Sequence, residues 1–154
     1  MKITFYGAAQ TVTGSKHLIT TEGGKNLLLD CGLFQGRGSE TESLNRHFGF
    51  DPTTIDYLIL SHAHADHAGN IPQLVKSGYT GPIFATPATI DLCRIMLADS
   101  AHIQESDFSR AERKQKLGKW HGDLPQVLYS VKQANECLSQ LKAYDYGQVF
   151  EPID

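Results

Sequence analysis

The sequence predicts an α/β fold, and three observations carry that expectation. Short apolar runs such as Tyr57-Leu58-Ile59-Leu60 and Pro82-Ile83-Phe84-Ala85 have strand length and are bounded by turn residues. Each is followed by a stretch with helical character, Ala68 to Ser77 after the first and a longer segment after the second. In that longer segment Ile90, Cys93, Leu97 and Ala101 repeat at i, i+3, i+7 and i+11, the stripe of a helix packed on a core. With 154 residues, 40% of them hydrophobic, the chain can bury a core and reads as one soluble domain or part of one.

Taken in order, Ile3 and Phe5 alternate with polar neighbours in a first strand that ends at Gly7. His17 to Thr21 and Asn26 to Leu29 form two more, joined through Gly23-Gly24, a hairpin signal. Between them and the first strand, Gly7 to Lys16 invites comparison with a phosphate-binding loop. In such a loop the lysine directly follows glycine and precedes Ser or Thr, whereas here the order is Gly14-Ser15-Lys16, so that reading is rejected. Phe34 to Phe50 reads as a glycine-rich loop with a short helical turn around Leu44. Asp51-Pro52 starts another short turn, and Ile55 leads into the central strand.

Further along, Gly78 is placed to close the Ala68 to Ser77 helix, and Thr86-Pro87 opens the next with Thr as N-cap and Pro at the first position. Ser106 to Asp123 is polar, with Arg110, Arg113, Lys114, Lys116 and Lys119 against Glu112, and is expected to be solvated surface. Ser130 with Gln133 makes a capping box, and Ala134, Cys137, Leu138 and Leu141 give an amphipathic helix. Val149-Phe150 is expected to begin a last strand.

Composition excludes several classes. Net charge is −3, so no global basic field draws in nucleic acid. Cys31, Cys93 and Cys137 are odd in number and widely spaced, which argues against a disulfide framework or a cysteine metal site and fits buried thiols in a reducing compartment. The N-terminus lacks a signal-peptide pattern and no apolar run approaches the roughly 18 residues of a membrane span, so a cytoplasmic protein is expected.

The chemistry is concentrated in Ser61-His62-Ala63-His64-Ala65-Asp66-His67, where an apolar strand opens into a loop before a helix. Three of the seven histidines and a carboxylate lie within six residues. In extended chain, residues i and i+2 point to one side, so His62 and His64 can present imidazoles to one cation, while the turn into the helix aims Asp66 and His67 at a second. Asp66 is also placed to cap the following helix. Asp30 ends the apolar Leu27-Leu28-Leu29 strand. A turn-forming role and a site role, orienting a ligating histidine, are both open for it. His17, His102 and His121 lack a ligand context.

The His-x-His-x-Asp-His cluster after an apolar strand resembles the signature of the metallo-β-lactamase superfamily, a four-layer αββα sandwich with one or two metals at the end of its sheets. Gly7-Ala8-Ala9-Gln10-Thr11-Val12-Thr13-Gly14-Ser15, Leu28 to Gly36, and Ser61 to Pro72 further resemble the RNA-processing β-CASP ribonucleases. That resemblance runs through essentially the whole chain.

It implies an α/β fold that is part of the αββα sandwich, with residues 1–154 as the N-terminal portion of the domain. It implies zinc as cofactor, two ions in the complete site, with His62 and His64 on the first and Asp66 and His67 on the second. Asp66 is also the catalytic candidate, and Asp30 the orienting residue behind the ligands. RNA is the implied partner, and the reaction is attack on a phosphodiester by a metal-bound hydroxide. Longer relatives supply further ligands after the equivalent of Asp154, so an incomplete site is expected, with little turnover by this chain alone. Hydrolysis of thioesters or other small esters, and a non-catalytic binding module with a partial metal site, are the alternatives. Strand edges left open in a half-sandwich lead us to expect self-association, or a partner that completes the fold.

Overall fold

A computed structural model of the chain describes residues 1–36, 38–149 and 151. Six strands form one sheet in sequence order: β1 (Lys2–Gly7), β2 (Lys16–Thr20), β3 (Asn26–Leu29), β4 (Tyr57–Ile59), β5 (Ile83–Ala85) and β6 (Leu141–Ala143). The first three are antiparallel, while β3 to β6 are parallel. Parallel strands require crossovers. These are made by α2 (Ala65–Ala68) and α3 (Ile71–Lys76) between β4 and β5, and by α4 (Pro87–Lys116) and α5 (Val131–Cys137) between β5 and β6. A further helix, α1 (Ser39–Arg46), lies between β3 and β4.

Register and the two-residue side-chain period decide which residues share a face. Leu18, Leu28, Leu58, Ile83 and Leu141 line up across five strands and join one core with Ile71 and Leu74 of α3, the α4 stripe, and Ala134 and Cys137 of α5. Ile3, Phe5, Ile19, Leu27, Leu29 and Ile59 occupy the other face. There Phe5 is 60% exposed and Ile3 47%. Strands that read Leu-Leu-Leu and Tyr-Leu-Ile are apolar on both sides, as in sheets covered twice, and the core cluster covers one side here. This open face is expected to drive concentration-dependent association. Sedimentation should show species larger than the monomer, and Phe5→Lys should reduce them; a clean monomer at high concentration would refute this.

Local signals explain the well-placed elements. Thr86 Oγ1 accepts from Thr89 N with Pro87 at the first helical position, and Ser130 and Gln133 make the reciprocal capping box. Asp51 caps the Pro52–Thr54 turn, and Gly78, at φ 108°, follows the end of α3.

Several expectations are corrected or extended. The Ala68 to Ser77 helix is two helices broken at Gly69-Asn70, because Asn70 N donates to Cys31 O, its amide donates to Asn45 O, and Pro72 has no N–H for a continuous ladder. The 34–50 loop holds a two-turn helix, α1, anchored by the Asn45 side chain, which bonds both Phe34 N and Phe34 O. Polar residues 106–116, surface as expected, continue α4 because Ala, Glu, Arg, Lys and Gln are strong helix formers; the helix stops before Gly118, at φ 67°. Finally, α5 ends at Cys137, so Leu138 enters a 3-10 turn and Leu141 starts β6 beside β5. Val149 lies outside any strand, and Phe150 is outside the described residues.

The thiols are buried and free. Desolvation pushes Cys31 and Cys137 up to about 12 and Cys93 to about 11, from an ordinary 9.0, and Tyr129 from 10.0 to about 12. The unfolded chain loses these protons first as pH rises, so stability falls above pH 9 and toward 12. At pH 10 each thiol contributes a loss on the order of 1 kcal/mol. Lys16, lowered by burial, acts with the opposite sign, but Tyr57 and Tyr79, also raised by burial, act in the same direction as the thiols and Tyr129. Urea midpoints measured from pH 8 to pH 10.5 should therefore fall steeply, and a flat profile would contradict burial of the thiols.

Candidate functional site

β4 ends at Ile59, and Leu60 N still donates to Phe84 O before the chain leaves the sheet. His64 is extended (φ −66°, ψ 147°) and stands at the N-cap of α2, its carbonyl accepting from His67 N and Ala68 N. Asp66 lies in the first turn of that helix but makes no side-chain cap, so the capping role expected for it is absent.

The extended run brings His62 and His64 together, with His62 Nε2 3.1 Å from His64 Nδ1. The His67 ring lies 4.1 Å from that of His62, centroid to centroid, and its Nε2 is 3.7 Å from Asp66 Oδ2. Beneath them Asp30, 4% exposed, is the hub. Its Oδ1 accepts from Ser61 N at 2.8 Å. Its Oδ2 accepts from Ser61 Oγ at 2.9 Å, His67 Nδ1 at 2.8 Å and Ser15 Oγ at 3.4 Å.

These bonds fix proton positions. A carboxylate only accepts, so His67 carries its proton on Nδ1 and leaves Nε2 a free lone pair. Ser61 spends its hydroxyl proton on Asp30 and therefore accepts, at 2.9 Å, from His62 Nδ1–H, which leaves His62 Nε2 unprotonated and accepting from His64 Nδ1. Asp30 thus orients one ring directly and the other through a serine. Its own backbone is left-handed, at φ 59°, which Asp tolerates better than most residues.

Backbone contacts lock this base. Ser15 N donates to Asp66 O, Cys31 N to His67 O, Leu33 N to Ala65 O and Gly32 N to Ser15 O, all at 2.7 to 2.9 Å. A Cβ on Gly32 would lie 1.6 Å from Asp66 O, so only glycine fits that crossing. Lys16 is 1% exposed and, among the described residues, has no carboxylate partner; its ammonium donates to Gly32 O at 2.6 Å and Gly14 O at 3.4 Å and lies 4.4 Å from the Phe34 ring centroid. Burial lowers its pKa, with Cys31 opposing. A cavity of about 710 Å³ opens in front of the site, lined by His62, His64, Leu92, Ile95, Asp99 and Tyr146.

The donor set suits a borderline metal ion such as zinc. Two donor atoms on one tetrahedral zinc sit about 3.3 Å apart, close to the separation of the two ring nitrogens. The donors come in pairs, however: among the described residues no group of three or more His, Cys, Asp or Glu side chains is arranged to hold a metal. Ser15, Ser61 and Lys16 were not singled out as site residues from sequence. Only Ser61, adjacent to the histidine cluster, carried a signal.

Residues 14–83 match the family model described as the metallo-beta-lactamase superfamily. Over 150 residues the chain is 37% identical to Ribonuclease TTHA0252 of Thermus thermophilus, covering 96% of this chain and 29% of that one. This chain belongs to the metallo-β-lactamase superfamily. Within the superfamily, Integrator complex subunit 11 of Danio rerio is 32% identical, covering 97% of this chain and 26% of that one. Transcription termination factor FttA of Methanococcus maripaludis is 33% identical over 124 residues, 79% of this chain and 17% of that one. These relatives belong to the RNA-processing β-CASP branch. The chain spans less than a third of the length of each. A solved metallo-beta-lactamase from Cronobacter sakazakii, 24% identical, covers 96% of this chain and 46% of its own length at a TM-score of 0.49. No helix among the described residues is long and apolar enough to cross a membrane.

Proposed function

We propose that residues 1–154 are the N-terminal portion of a zinc-dependent ribonuclease of the metallo-β-lactamase fold, acting on phosphodiester bonds of RNA in the cytoplasm. The observation that carries this reading is the Asp30 hub, which keeps the ring protons on the Nδ1 side of His62 and His67 and turns their Nε2 atoms toward His64 Nδ1 and Asp66 Oδ2. His62 and His64 would hold one zinc, and Asp66 and His67 the other. Bound zinc supplies a hydroxide at neutral pH and stabilises charge developing on the phosphate.

The remaining work falls to protein groups. Asp30 keeps the proton on His67 Nδ1, and Ser61 keeps the proton on His62 Nδ1, so both rings stay in the ligating tautomer. Asp66, whose Oδ2 lies 3.7 Å from His67 Nε2, is the residue assigned a catalytic role. RNA as substrate is supported by the names of the relatives, a ribonuclease among them.

A catalytic zinc normally has three protein ligands and a water, and each pair here offers two. That favours a second reading, a module that binds metal weakly and turns nothing over. The test is hydrolysis of labelled RNA and of an acyl thioester by zinc-loaded protein. It is run on the 154-residue chain and on a chimera that joins it to the unmatched remainder of the Thermus ribonuclease. The expected result is RNA cleavage by the chimera, abolished by chelator, and no thioester cleavage. A folded chimera that binds zinc without cutting RNA would favour the binding module, and thioester cleavage alone would replace RNA as substrate.

A further inference from the structure

A buried lysine with no carboxylate partner among the described residues is an expensive feature, and nothing in the proposed chemistry uses it. Lys16 begins β2, 1% exposed, and its ammonium bridges two carbonyls from separate loops. Gly14 O belongs to the segment that carries Ser15, and Gly32 O to the one that carries Asp30. Both segments touch the helix that bears Asp66 and His67: Ser15 N donates to Asp66 O, and Cys31 N donates to His67 O. The Phe34 ring closes over the ammonium and also walls Gly14, where a Cβ would come within 2.7 Å of it. An apolar side chain of similar length could fill this space, so packing alone does not call for a charge.

We propose that Lys16 is a positioning residue for the candidate site, tying the Ser15 and Asp30 loops together so that the Asp30 carboxylate stays under His67. The inference rests on the reading of His67 as a ligand, yet its physical content concerns a hydrogen bond that exists without metal or RNA. Without the ammonium, Gly14 O and Gly32 O lose this donor, and the two loops are left with the Gly32 N to Ser15 O bond and the long 3.4 Å contact from Ser15 Oγ to Asp30 Oδ2. Asp30, already in a left-handed conformation, then has less to hold its carboxylate against the His67 ring.

The experiment is nitrogen-15 histidine NMR on the metal-free 154-residue chain, comparing wild type, Lys16→Met and Lys16→Gln, with thermal melts alongside. Wild type should show His67 as the Nδ1–H tautomer with a slowly exchanging ring proton. In a folded Lys16→Met chain that ring-proton signal should be lost and the two tautomers should interconvert. Lys16→Gln, which keeps an N–H donor, should retain part of the signal.

A purely structural lysine would lower the melting temperature and leave the His67 signature intact, and that result would overturn the proposal. If Lys16→Met does not fold, Lys16→Gln decides: an unchanged His67 signal overturns it and a weakened one supports it. If neither variant folds, Lys16 is a stability residue and the proposal falls. Failure of RNA cleavage or of zinc binding leaves this measurement untouched, so the two readings fail separately.

Discussion

Gly32→Ala is expected to cost on the order of 4 kcal/mol or more, leaving the chain largely unfolded or without its loop contacts. The new Cβ would meet Asp66 O at 1.6 Å, Asp66 C at 2.0 Å and His67 N at 2.6 Å. All three are backbone atoms, so no side chain can swing away. Relief requires separating residues 30–33 from α2, and that separation strains the Cys31 N to His67 O, Leu33 N to Ala65 O and Gly32 N to Ser15 O bonds together. Each buried backbone group left unpaired costs about 1–3 kcal/mol, which is how one methyl group reaches such a size. Gly23→Ala is the matched control, its nearest neighbour being Thr21 Oγ1 at 3.9 Å, and it should change stability by less than about 0.5 kcal/mol. Urea denaturation of both variants checks this. A wild-type midpoint for Gly32→Ala would mean the close crossing of these loops is wrong.

The same crossing explains what could and could not be read from the sequence. Hydrophobic period and capping chemistry are local. That is why β1 to β5, the Thr86-Pro87 start of α4, the Ser130 and Gln133 box and the buried stripe from Ile90 to Ala101 all lie where the pattern puts them. The histidine cluster was legible for the same reason, since i, i+2 geometry in extended chain needs no tertiary information. Asp30 was legible only as a carboxylate at a strand end. Its four donors come from Ser15, Ser61 and His67, up to 37 residues away, and no spacing rule links them. Of helix α1 only a short turn around Leu44 was legible, because its anchor, Asn45 on the Phe34 backbone, is a tertiary contact inside a glycine-rich stretch. The break between α2 and α3 escaped because the groups that interrupt it, Cys31 O, Asn45 O and the Tyr129 hydroxyl on Gly69 O, all come from outside the helix. Lys16 had been weighed only as a phosphate ligand; its burial against carbonyls follows from how two loops meet.

His64→Ala should weaken zinc binding by more than 100-fold, because it leaves one of the two proposed positions a single donor. Replacing a group behind the ligands typically costs 10–100-fold in metal affinity, so loss of a ligand must exceed that range. Asp30→Asn should fall within it: the amide can still accept from Ser61 N, but without the carboxylate charge it holds the His67 Nδ1 proton less firmly. Calorimetry on metal-stripped protein measures both, with circular dichroism to show that each variant is folded. His102→Ala, on an exposed part of α4, should bind zinc as wild type does. Two tight zincs that survive His64→Ala would remove that residue from the site. Ser61→Ala extends the argument. The Ser61 hydroxyl and the His67 ring share one oxygen, Asp30 Oδ2, so the effects of Ser61→Ala and Asp30→Asn on zinc affinity should not add. Additive losses would mean that His62 and His67 are oriented independently and that Asp30 serves only one of them.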